Sequence, residues 1–494
     1  MKGRQNPQPA LFACVQLEQM IPSDHILRRI QQAIDFTFID RLTEPLYSGL
    51  GRPSVPPQVL VRMMVIGYLH GISSERRLCQ EVQLNLAYRW FCGLSLEDKV
   101  PDHSTFSKNR HGRFAATTLF RDLFYEVVRQ AMERGLVSGK HLTVDATTVQ
   151  ADASLNSLEP IIVALSPQQY VEKLDEQNPM PTDAAADRED DGSPPVPPKL
   201  SNDTQRSDTD PDARLLAKRF QKTQLAYSDN VLMDNAHRVI VDVEVTEPNL
   251  HQEGQVAGEM VERSRLRLRV DPQTLGGDKA YGYGAAVRRL YEAGVQPHAP
   301  APMTGQWNAQ GIFGKGDFVY DRAHDVLICP AGKRLHQRTV HARNRQTEYA
   351  ARVGDCRVCP LKPRCTRARY RVAHRHWDQD YLDQAEAARH TPGYRLSQRC
   401  RKRIEHLFAE AKEQMGLRRA RRRGWANVTE QCLLTAMVQN IKRIVALLPP
   451  LPPAAAGAVA CLRPPLTKLL WWLRRQRDAF TTRLVTQTRP LLPS

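Results

Sequence analysis

The sequence has no long uninterrupted apolar run, and its first residues lack the apolar stretch of a secretory signal peptide. Both absences argue against a membrane-spanning or exported protein. Aromatic residues make up only 7% of the chain, and negative charge is in the minority, with 53 acidic against 70 basic side chains. The net charge of +17 favours a polyanionic partner such as DNA. The sequence therefore predicts a soluble intracellular protein, whose 494 residues are enough for about three domains.

The most informative segment lies near residue 400, in RKRIEHLFAEAKEQMG. Arg401, Glu405 and Lys412 are separated by four and seven residues, which places all three side chains on one face of a predicted helix. A carboxylate between two cations can hold a metal ion while the cations bind a phosphodiester backbone. The alternative is a solvated face with ordinary ion pairs between successive turns. Cleavage of nucleic acid is the first hypothesis, provided that other segments supply further ligands.

Two aspartates are the candidates for those ligands. Asp145 lies in the middle of HLTVDATTVQ, a run of alternating and β-branched residues that predicts a strand. Asp278 lies in TLGGDKAYGYG, where a short strand meets a glycine-rich turn before a predicted helix. Either one alone is typical of a turn former or of an arginine's partner. Together with Glu405, they are enough to hold two hard divalent cations about 4 Å apart.

These segments resemble the DDE transposases of bacterial insertion sequences, in the branch marked by a Y-x2-R-x3-E-x6-K signature. TVDATTVQA is similar to the family's first-aspartate strand, and GDKAYGY is similar to its second-aspartate turn. The stretch GRPSVPPQVLVRMMVIGYLHGISSERRLCQEVQLNLAYRWFCGL, followed by PDHSTFSKNR, resembles the helical domain that precedes the catalytic core. The resemblance covers most of residues 40–445. Two positions depart from it: Gln398 replaces the signature tyrosine, with Tyr394 one turn earlier, and Ala280 replaces a glycine.

The resemblance implies a DNA transposase of the bacterial cytoplasm that performs metal-dependent strand cleavage and strand transfer. Asp145, Asp278 and Glu405 are then expected to hold two Mg²⁺ or Mn²⁺ ions, with Arg401 and Lys412 on the phosphate. The implied partners are the terminal inverted repeats and the target DNA, held by a homodimer, and no membrane. Two alternatives stay open: a metal-dependent DNA nuclease on the same scaffold, and a catalytically inactive DNA-binding relic.

The resemblance also implies an α/β fold, with a ribonuclease H-like catalytic core, a β-rich insertion before the glutamate helix, and an all-α N-terminal domain. The predicted divisions are residues 1–115 for the helical DNA-binding or dimerisation domain, 116–302 for the first part of the core, 303–390 for the cysteine-containing insertion, 391–448 for the glutamate helix and the closing helix, and 449–494 for a basic, proline-rich tail. Within the core, residues 155–212 are acidic and poor in large apolar side chains. We expect them to form a disordered insertion.

The N-terminal domain leaves two interpretations open. Helical periodicity in PPQVLVRMMVIGYL and SSERRLCQEVQLN predicts a helix pair around Gly71. As a helix-turn-helix, this pair would direct Arg76 and Arg77 toward phosphates. As a small bundle, it would serve dimer contacts. The aromatic residues of LAYRWF favour a packed core over a base-stacking surface.

Four cysteines in the predicted insertion share metal-ligand spacing. They are Cys329 in LICPAG and Cys356, Cys359 and Cys365 in CRVCPLKPRC. Four thiolates with one C-x2-C pair predict a tetrahedral structural Zn²⁺ site, and the alternative is unpaired reduced thiols. Disulfides are not expected in the cytosol.

A basic cluster follows the glutamate helix in LRRARRRGWANV. Its members are Arg418, Arg419, Arg421, Arg422 and Arg423. Their concentration next to the predicted active face favours binding to the DNA backbone at the transposon end. The resemblance further implies that Trp307 could stack on an extruded base, although an isolated tryptophan is more often part of a core.

Overall fold

The computed structural model describes residues 16–48, 50–51, 54–161, 200–217, 222–248, 250–300 and 311–448. Trp307 and the predicted tail at 449–494 lie outside these ranges. The described residues form a mixed α/β structure that begins with a series of helices, so the predicted α/β class with N-terminal helices is confirmed.

Within the described ranges, eight α-helices precede the first strand and six more follow it. The first eight are α1 Leu17–Met20, α2 Ile26–Ala33, α3 Phe38–Thr43, α4 Pro57–Leu69, α5 Glu75–Leu84, α6 Leu86–Phe91, α7 His103–His111 and α8 Leu119–Glu133. The later ones are α9 Leu250–Leu268, α10 Gly284–Glu292, α11 Val353–Arg357, α12 Gln379–Ala388, α13 Pro392–Gln414 and α14 Trp425–Leu447.

The strands form one large sheet, one small sheet and one short ribbon. They are β1 His141–Gln150, β2 Leu158–Pro160, β3 Gln205–Ser207, β4 Arg214–Leu216, β5 Gln224–Asp234, β6 Val239–Thr246, β7 Thr274–Gly276, β8 Gln296–His298, β9 Val319–Asp321, β10 Val326–Ile328, β11 Arg334–His341, β12 Gln346–Ala351 and β13 Val372–His376.

The N-terminal helices pack around α4, which is apolar along almost its whole length and is buried from Val59 to Tyr68 except at Arg62. The turn after α4 uses Gly71 at a φ of +66°, a backbone conformation that glycine adopts without strain. Ser74 then caps α5 by accepting the backbone N–H of Arg77. The side chains of Arg76 and Arg77 are exposed at the start of α5. The α4–α5 pair therefore combines a buried first helix with a largely solvent-facing second one that carries Arg76 and Arg77.

The large sheet contains six strands, with β1 at its centre. On one side β1 pairs antiparallel with β5, which also pairs with β4 and β6. On the other side it pairs parallel with β7, and β7 pairs parallel with β8. Every residue of β5 after Gln224 is buried, because neighbouring strands flank it and helices cover the sheet. The core of this sheet is continuous with that of the N-terminal helices.

The prediction that all of residues 155–212 are disordered is wrong at both ends of that segment. Residues 155–161 and 200–212 are described; β2 and β3 pair with each other, and β4 joins the large sheet directly afterwards. Asp210 is fully buried and accepts hydrogen bonds from the Tyr227 hydroxyl at 2.6 Å and the Gly424 N–H at 3.1 Å. Composition missed this because the few apolar side chains that pack on the core, Leu155 and Leu158, are supplemented by polar bonds to distant residues. Residues 162–199 lie outside the described ranges.

A second sheet of five strands, in the order β13-β12-β11-β10-β9, lies between the large sheet's last strand and the long helix α13. It has its own small core, formed by Phe318, Leu327, Leu335 and Tyr349 together with two alanines. The five strands of this sheet thus stand before α13 in the described residues. None of the described helices is long and apolar enough to cross a membrane.

Candidate active site

Two of the predicted carboxylates, Asp145 and Asp278, belong to the neighbouring parallel strands β1 and β7 or to the turn that follows them. The β1–β7 register pairs Thr143 with Gly276. Asp145 and Asp278 each follow two residues after this pair, Asp145 within β1 and Asp278 in the turn beyond β7. The charge of Asp278 raises the pKa of Asp145, so the two carboxylates lie within electrostatic range of each other. The Asp278 carboxylate also accepts the N–H of Ala280 at 2.8 Å, which fixes the turn after β7. Adjacent parallel strands therefore position both predicted aspartates.

Helix α13 supplies the third carboxylate and comes very close to β7. A Cβ on Gly276 would lie 2.8 Å from the Ser397 hydroxyl oxygen, so only glycine lets the helix pack at this distance. One helical turn further along, Arg401 Nη1 donates to Asp145 Oδ2 at 3.2 Å. Its Nη2 atom lies 4.0 Å from Oε1 of Glu405, whose side chain is 61% exposed. Arg401 thus links the buried aspartate to the exposed glutamate.

Gln398, the residue at the signature tyrosine's position, fastens α13 to the strand ends. Its amide nitrogen donates to the carbonyl of His298 at 2.5 Å and to that of Gly277 at 3.3 Å. Tyr394, one turn earlier, is buried with its ring edge-on to His298 at 5.5 Å. Both side chains therefore hold the helix next to the turn that carries Asp278, although neither touches a carboxylate of the site in the contacts described.

The pKa of Asp145 is shifted by its burial and by the charged and polar groups around it. The pKa of Asp145 is raised to about 6, with burial as the largest cause and the charges of Asp278 and Glu405 acting in the same direction. The N–H of Ala146 and the guanidinium of Arg401 act in the opposite direction. The site therefore holds more negative charge than its single nearby arginine offsets, which is the condition under which a bound cation is favourable.

The three carboxylates are spread more widely than the ligands of one ion. Among the described residues, the group of histidine, cysteine and acidic side chains whose ligand atoms lie within 4.8 Å of one another is elsewhere, at His341, Glu348 and His374. Carboxylate oxygens are the donors that Mg²⁺ and Mn²⁺ prefer, so the donor set of Asp145, Asp278 and Glu405 fits such ions.

Sequence reasoning missed a further acidic residue close to this site. Asp229 lies in β5 opposite Thr147, two residues beyond Asp145, and is buried. Burial raises its pKa to about 7, while a hydrogen bond with Cys432 and the charge of Lys412 lower it. A carboxylate in the middle of a strand-like segment was the available signal. Lys412, half-buried, thus has a buried acidic residue within electrostatic range as well as the phosphate site proposed for it.

The basic cluster begins at the far end of β1. Gln150 donates its N–H to the carbonyl of Arg418 at 3.0 Å and accepts the N–H of Ala420 at 2.7 Å, so this segment continues the strand that carries Asp145. The side chains of Arg418, Arg419 and Arg423 are each more than half exposed. They form an exposed basic surface on the extension of the catalytic strand.

The other two arginines of the cluster face inward. The Arg421 guanidinium lies 4.0 Å from the centre of the Tyr68 ring and donates to the Met415 carbonyl at 2.8 Å. Arg422 forms ion pairs with Glu75 at 3.1 Å and with Glu430 at 2.9 Å. These contacts connect the N-terminal helices to α14, so the pair is engaged within the protein.

The four cysteines of the small sheet line one cavity of about 30 Å³. All four are free thiols. Burial raises the pKa of the Cys365 thiol; the Arg371 charge lowers it, and the other three cysteines raise it. Mutual repulsion of this kind is what a bound Zn²⁺ would relieve, and a set of four sulfur donors fits that ion.

Arg401 contacts two of the three carboxylates, Asp145 and Glu405, and an exposed basic surface lies nearby. Such a set of groups is suited to metal-assisted chemistry on a phosphodiester. Two family models match the chain. Residues 15–112 match a transposase domain (DUF772), and residues 328–445 match a transposase DDE domain, which includes Glu405 and the basic cluster. The chain is accordingly a DDE-type DNA transposase, a metal-dependent enzyme of DNA strand cleavage and transfer.

Solved structures show weak similarity. A piggyBac transposase synaptic complex with hairpin DNA is 8% identical with a TM-score of 0.31, over 87% of this chain and 74% of that one. A Mos1 transposase paired-end complex with the left transposon end is 11% identical with a TM-score of 0.15, over 51% of this chain and 61% of that one. Similarity at this level adds nothing to the two family matches.

Proposed function

We propose that this transposase mobilises a bacterial insertion sequence, and that its large sheet is a ribonuclease H-like core carrying the catalytic triad Asp145, Asp278 and Glu405. The observation that carries the proposal is the parallel pairing of β1 with β7, after which Asp145 and Asp278 follow at equal spacing and influence each other electrostatically. The glutamate then reaches the same place from the helix, since Arg401 contacts both Asp145 and Glu405.

The triad would hold two Mg²⁺ or Mn²⁺ ions. When bound, the ions supply activation of the attacking water or 3′-hydroxyl and stabilisation of the leaving 3′-oxygen. The protein's contribution is to keep the ligands ionised and in place. Burial opposes ionisation of Asp145, and Arg401 favours it. Asp278 is held by its bond to the Ala280 N–H, and Glu405 by the docking of α13.

Arg401 and Lys412 are proposed to hold the phosphate of the scissile strand. Arg401 already lies between two carboxylates, where an incoming phosphodiester would compete for its N–H groups. Gln398 and Tyr394 act as positioning residues because they fix the helix that carries both cations.

The exposed arginines Arg418, Arg419 and Arg423 are proposed to bind the terminal inverted repeat, next to the catalytic strand. Arg421 and Arg422 are assigned to holding the N-terminal helices against α14. Because two ends must be cut in concert, we propose a homodimer in the DNA complex, with each subunit holding one end. The four-cysteine cavity is proposed to hold a structural Zn²⁺.

A strand-cleavage assay on DNA that carries the gene's own flanking ends tests the proposal. Wild type is compared with Asp145→Asn in Mg²⁺ and in Mn²⁺, with Asp383→Asn, an exposed aspartate on α12, as the matched control. We expect end-specific, metal-dependent cleavage and joining that only Asp145→Asn abolishes. Cleavage without joining would favour the nuclease, and end binding without any cleavage would favour the relic.

A further inference from the structure

Three adjacent strands of the small sheet bring two histidines and a glutamate together, away from the catalytic carboxylates. His341 closes β11, Glu348 lies within β12, and His374 lies within β13. The register places Glu348 directly opposite His374, and His341 is paired with Gln346, two residues before Glu348. One metal-ligand atom from each of the three side chains lies within 4.8 Å of the others.

The distances are close to those of a bound ion. Nε2 of His341 and Nε2 of His374 each lie 3.5 Å from the same carboxylate oxygen, Oε2 of Glu348. Tetrahedral coordination with Zn²⁺ about 2.0–2.1 Å from each ligand separates neighbouring ligand atoms by about 3.4 Å. The three side chains therefore stand almost at coordinating distance already, and small side-chain adjustments suffice.

The second oxygen of Glu348 is held separately. Arg338 Nη1 lies 3.5 Å from Oε1 of Glu348, and the same nitrogen donates to the Tyr370 hydroxyl at 2.9 Å. Arg338 thus orients the carboxylate so that Oε2 faces both imidazoles. In metal sites, a ligating carboxylate is usually oriented by a hydrogen-bonding or charged residue that does not itself contact the metal. The arginine also means that the two histidines are not needed to neutralise Glu348.

The three side chains differ in their exposure to solvent. The Glu348 side chain is 15% exposed, whereas those of His341 and His374 are 39% and 40% exposed. The carboxylate therefore sits at the base of a shallow site that opens to solvent between the two imidazoles. Three protein ligands with an open side leave one coordination position for water or an exogenous ligand.

We propose that His341, Glu348 and His374 bind one divalent transition-metal ion of the Zn²⁺ class, as a site separate from the catalytic carboxylates and from the four-cysteine cavity. Two imidazole nitrogens and one carboxylate oxygen select such ions over Mg²⁺, which prefers oxygen ligands throughout. The ion joins β11, β12 and β13, so it fastens the outer strands of the sheet that precedes the glutamate helix.

Metal titration of the full-length protein tests this site. Metal-stripped wild type is compared with His341→Gln, His374→Gln and the matched control His336→Gln, an exposed histidine on the same strand β11. Bound Zn²⁺ is counted after dialysis against micromolar Zn²⁺. We expect the two site variants to hold one Zn²⁺ fewer than wild type and the control, with affinity at that site at least 10-fold weaker.

Co²⁺ substitution separates this site from the cysteines. Thiolate-bound Co²⁺ gives a strong near-ultraviolet charge-transfer band, which a histidine and carboxylate site lacks. We expect the site variants to lose one equivalent of bound Co²⁺ while any thiolate band stays unchanged, which also shows that the small sheet has folded. If a histidine variant loses the thiolate band as well, the small sheet has not folded in that variant. Glu348→Gln, which keeps the volume of the side chain, is then tested in its place. Equal metal content and affinity in folded site variants, wild type and control would overturn the proposal.

Discussion

Arg401 donates a hydrogen bond to Asp145 at 3.2 Å and thereby ties the glutamate helix to the central strand. The two residues are 256 positions apart in sequence, so this contact exists only in the folded protein. It favours the ionised form of a carboxylate that burial and two acidic neighbours keep partly protonated near neutral pH. This contact and the packing around it determine how the site should respond to substitution and to pH.

Arg401→Gln should weaken binding of end DNA before it affects metal binding. Loss of a charge-assisted hydrogen bond costs about 1.5–3 kcal/mol, which corresponds to a decrease in DNA affinity of roughly 10- to 100-fold. DNA affinity and the metal dependence of cleavage are measured separately. Arg129→Gln, whose side chain pairs with Glu126 on α8, serves as the control. A variant with normal DNA affinity would remove Arg401 from phosphate binding.

The pH dependence of cleavage should follow Asp145. With a pKa raised to about 6, this carboxyl is protonated at lower pH and cannot serve as an anionic metal ligand. We expect the Mg²⁺ concentration needed for half-maximal cleavage to rise steeply as pH falls through 6. The profile is recorded at several metal concentrations. A metal requirement that is unchanged between pH 7 and pH 5 would contradict this assignment.

The raised pKa of Asp145 also predicts the direction in which protein stability changes with pH. Because the folded-state pKa of Asp145 exceeds the ordinary 3.8, folding takes up a proton, and the carboxyl's contribution is lost as pH rises from about 4 to 6. Asp145→Asn should therefore leave the metal-free protein unchanged at pH 4 and stabilise it above pH 6, by about 2–3 kcal/mol at most. Urea unfolding across this range is the measurement. Asp383→Asn should show no such trend, and an Asp145→Asn curve parallel to wild type would refute the prediction.

Gly276→Ala should push the glutamate helix away from β7. The added Cβ would lie 2.8 Å from the Ser397 hydroxyl oxygen and 3.3 Å from that of Thr143. Overpacking of this kind costs about 1–3 kcal/mol, and the displaced Glu405 should lower the cleavage rate. Adding Ser397→Ala should recover part of both losses. Gly316→Ala, where a Cβ meets no atom within 4 Å, is the matched control. No coupling between positions 276 and 397 would contradict the packing argument.

The arginines after α13 should divide into two groups, one that affects DNA binding and one that affects protein stability. Arg418→Gln and Arg419→Gln should each lower the slope of log DNA affinity against log salt by about 0.9, as expected when one phosphate contact is lost. Arg421→Gln and Arg422→Gln should instead lower the free energy of unfolding, because their partners lie within the protein. Salt-dependent DNA binding and urea unfolding of the same four variants test the division. Equal salt slopes for all four variants would refute it.

The sequence by itself determined the local features. Helical spacing placed Arg401, Glu405 and Lys412 on one helix, since periodicity depends only on neighbouring residues. β-Branched alternation likewise identified the strand around Asp145. The β-rich unit before the glutamate helix was instead expected from the resemblance to a known family.

Only the tertiary structure decided which residues meet. Exposure separated Arg419 from Arg421 within one basic run, because burial depends on partners hundreds of residues away. Strand pairing brought His341 and His374 to one glutamate, although no spacing in the sequence suggested a ligand set. Asp210 became buried through bonds to Tyr227 and Gly424 that its own acidic segment does not encode. Register, docking and long-range hydrogen bonds form only on folding, so they lie beyond any local pattern.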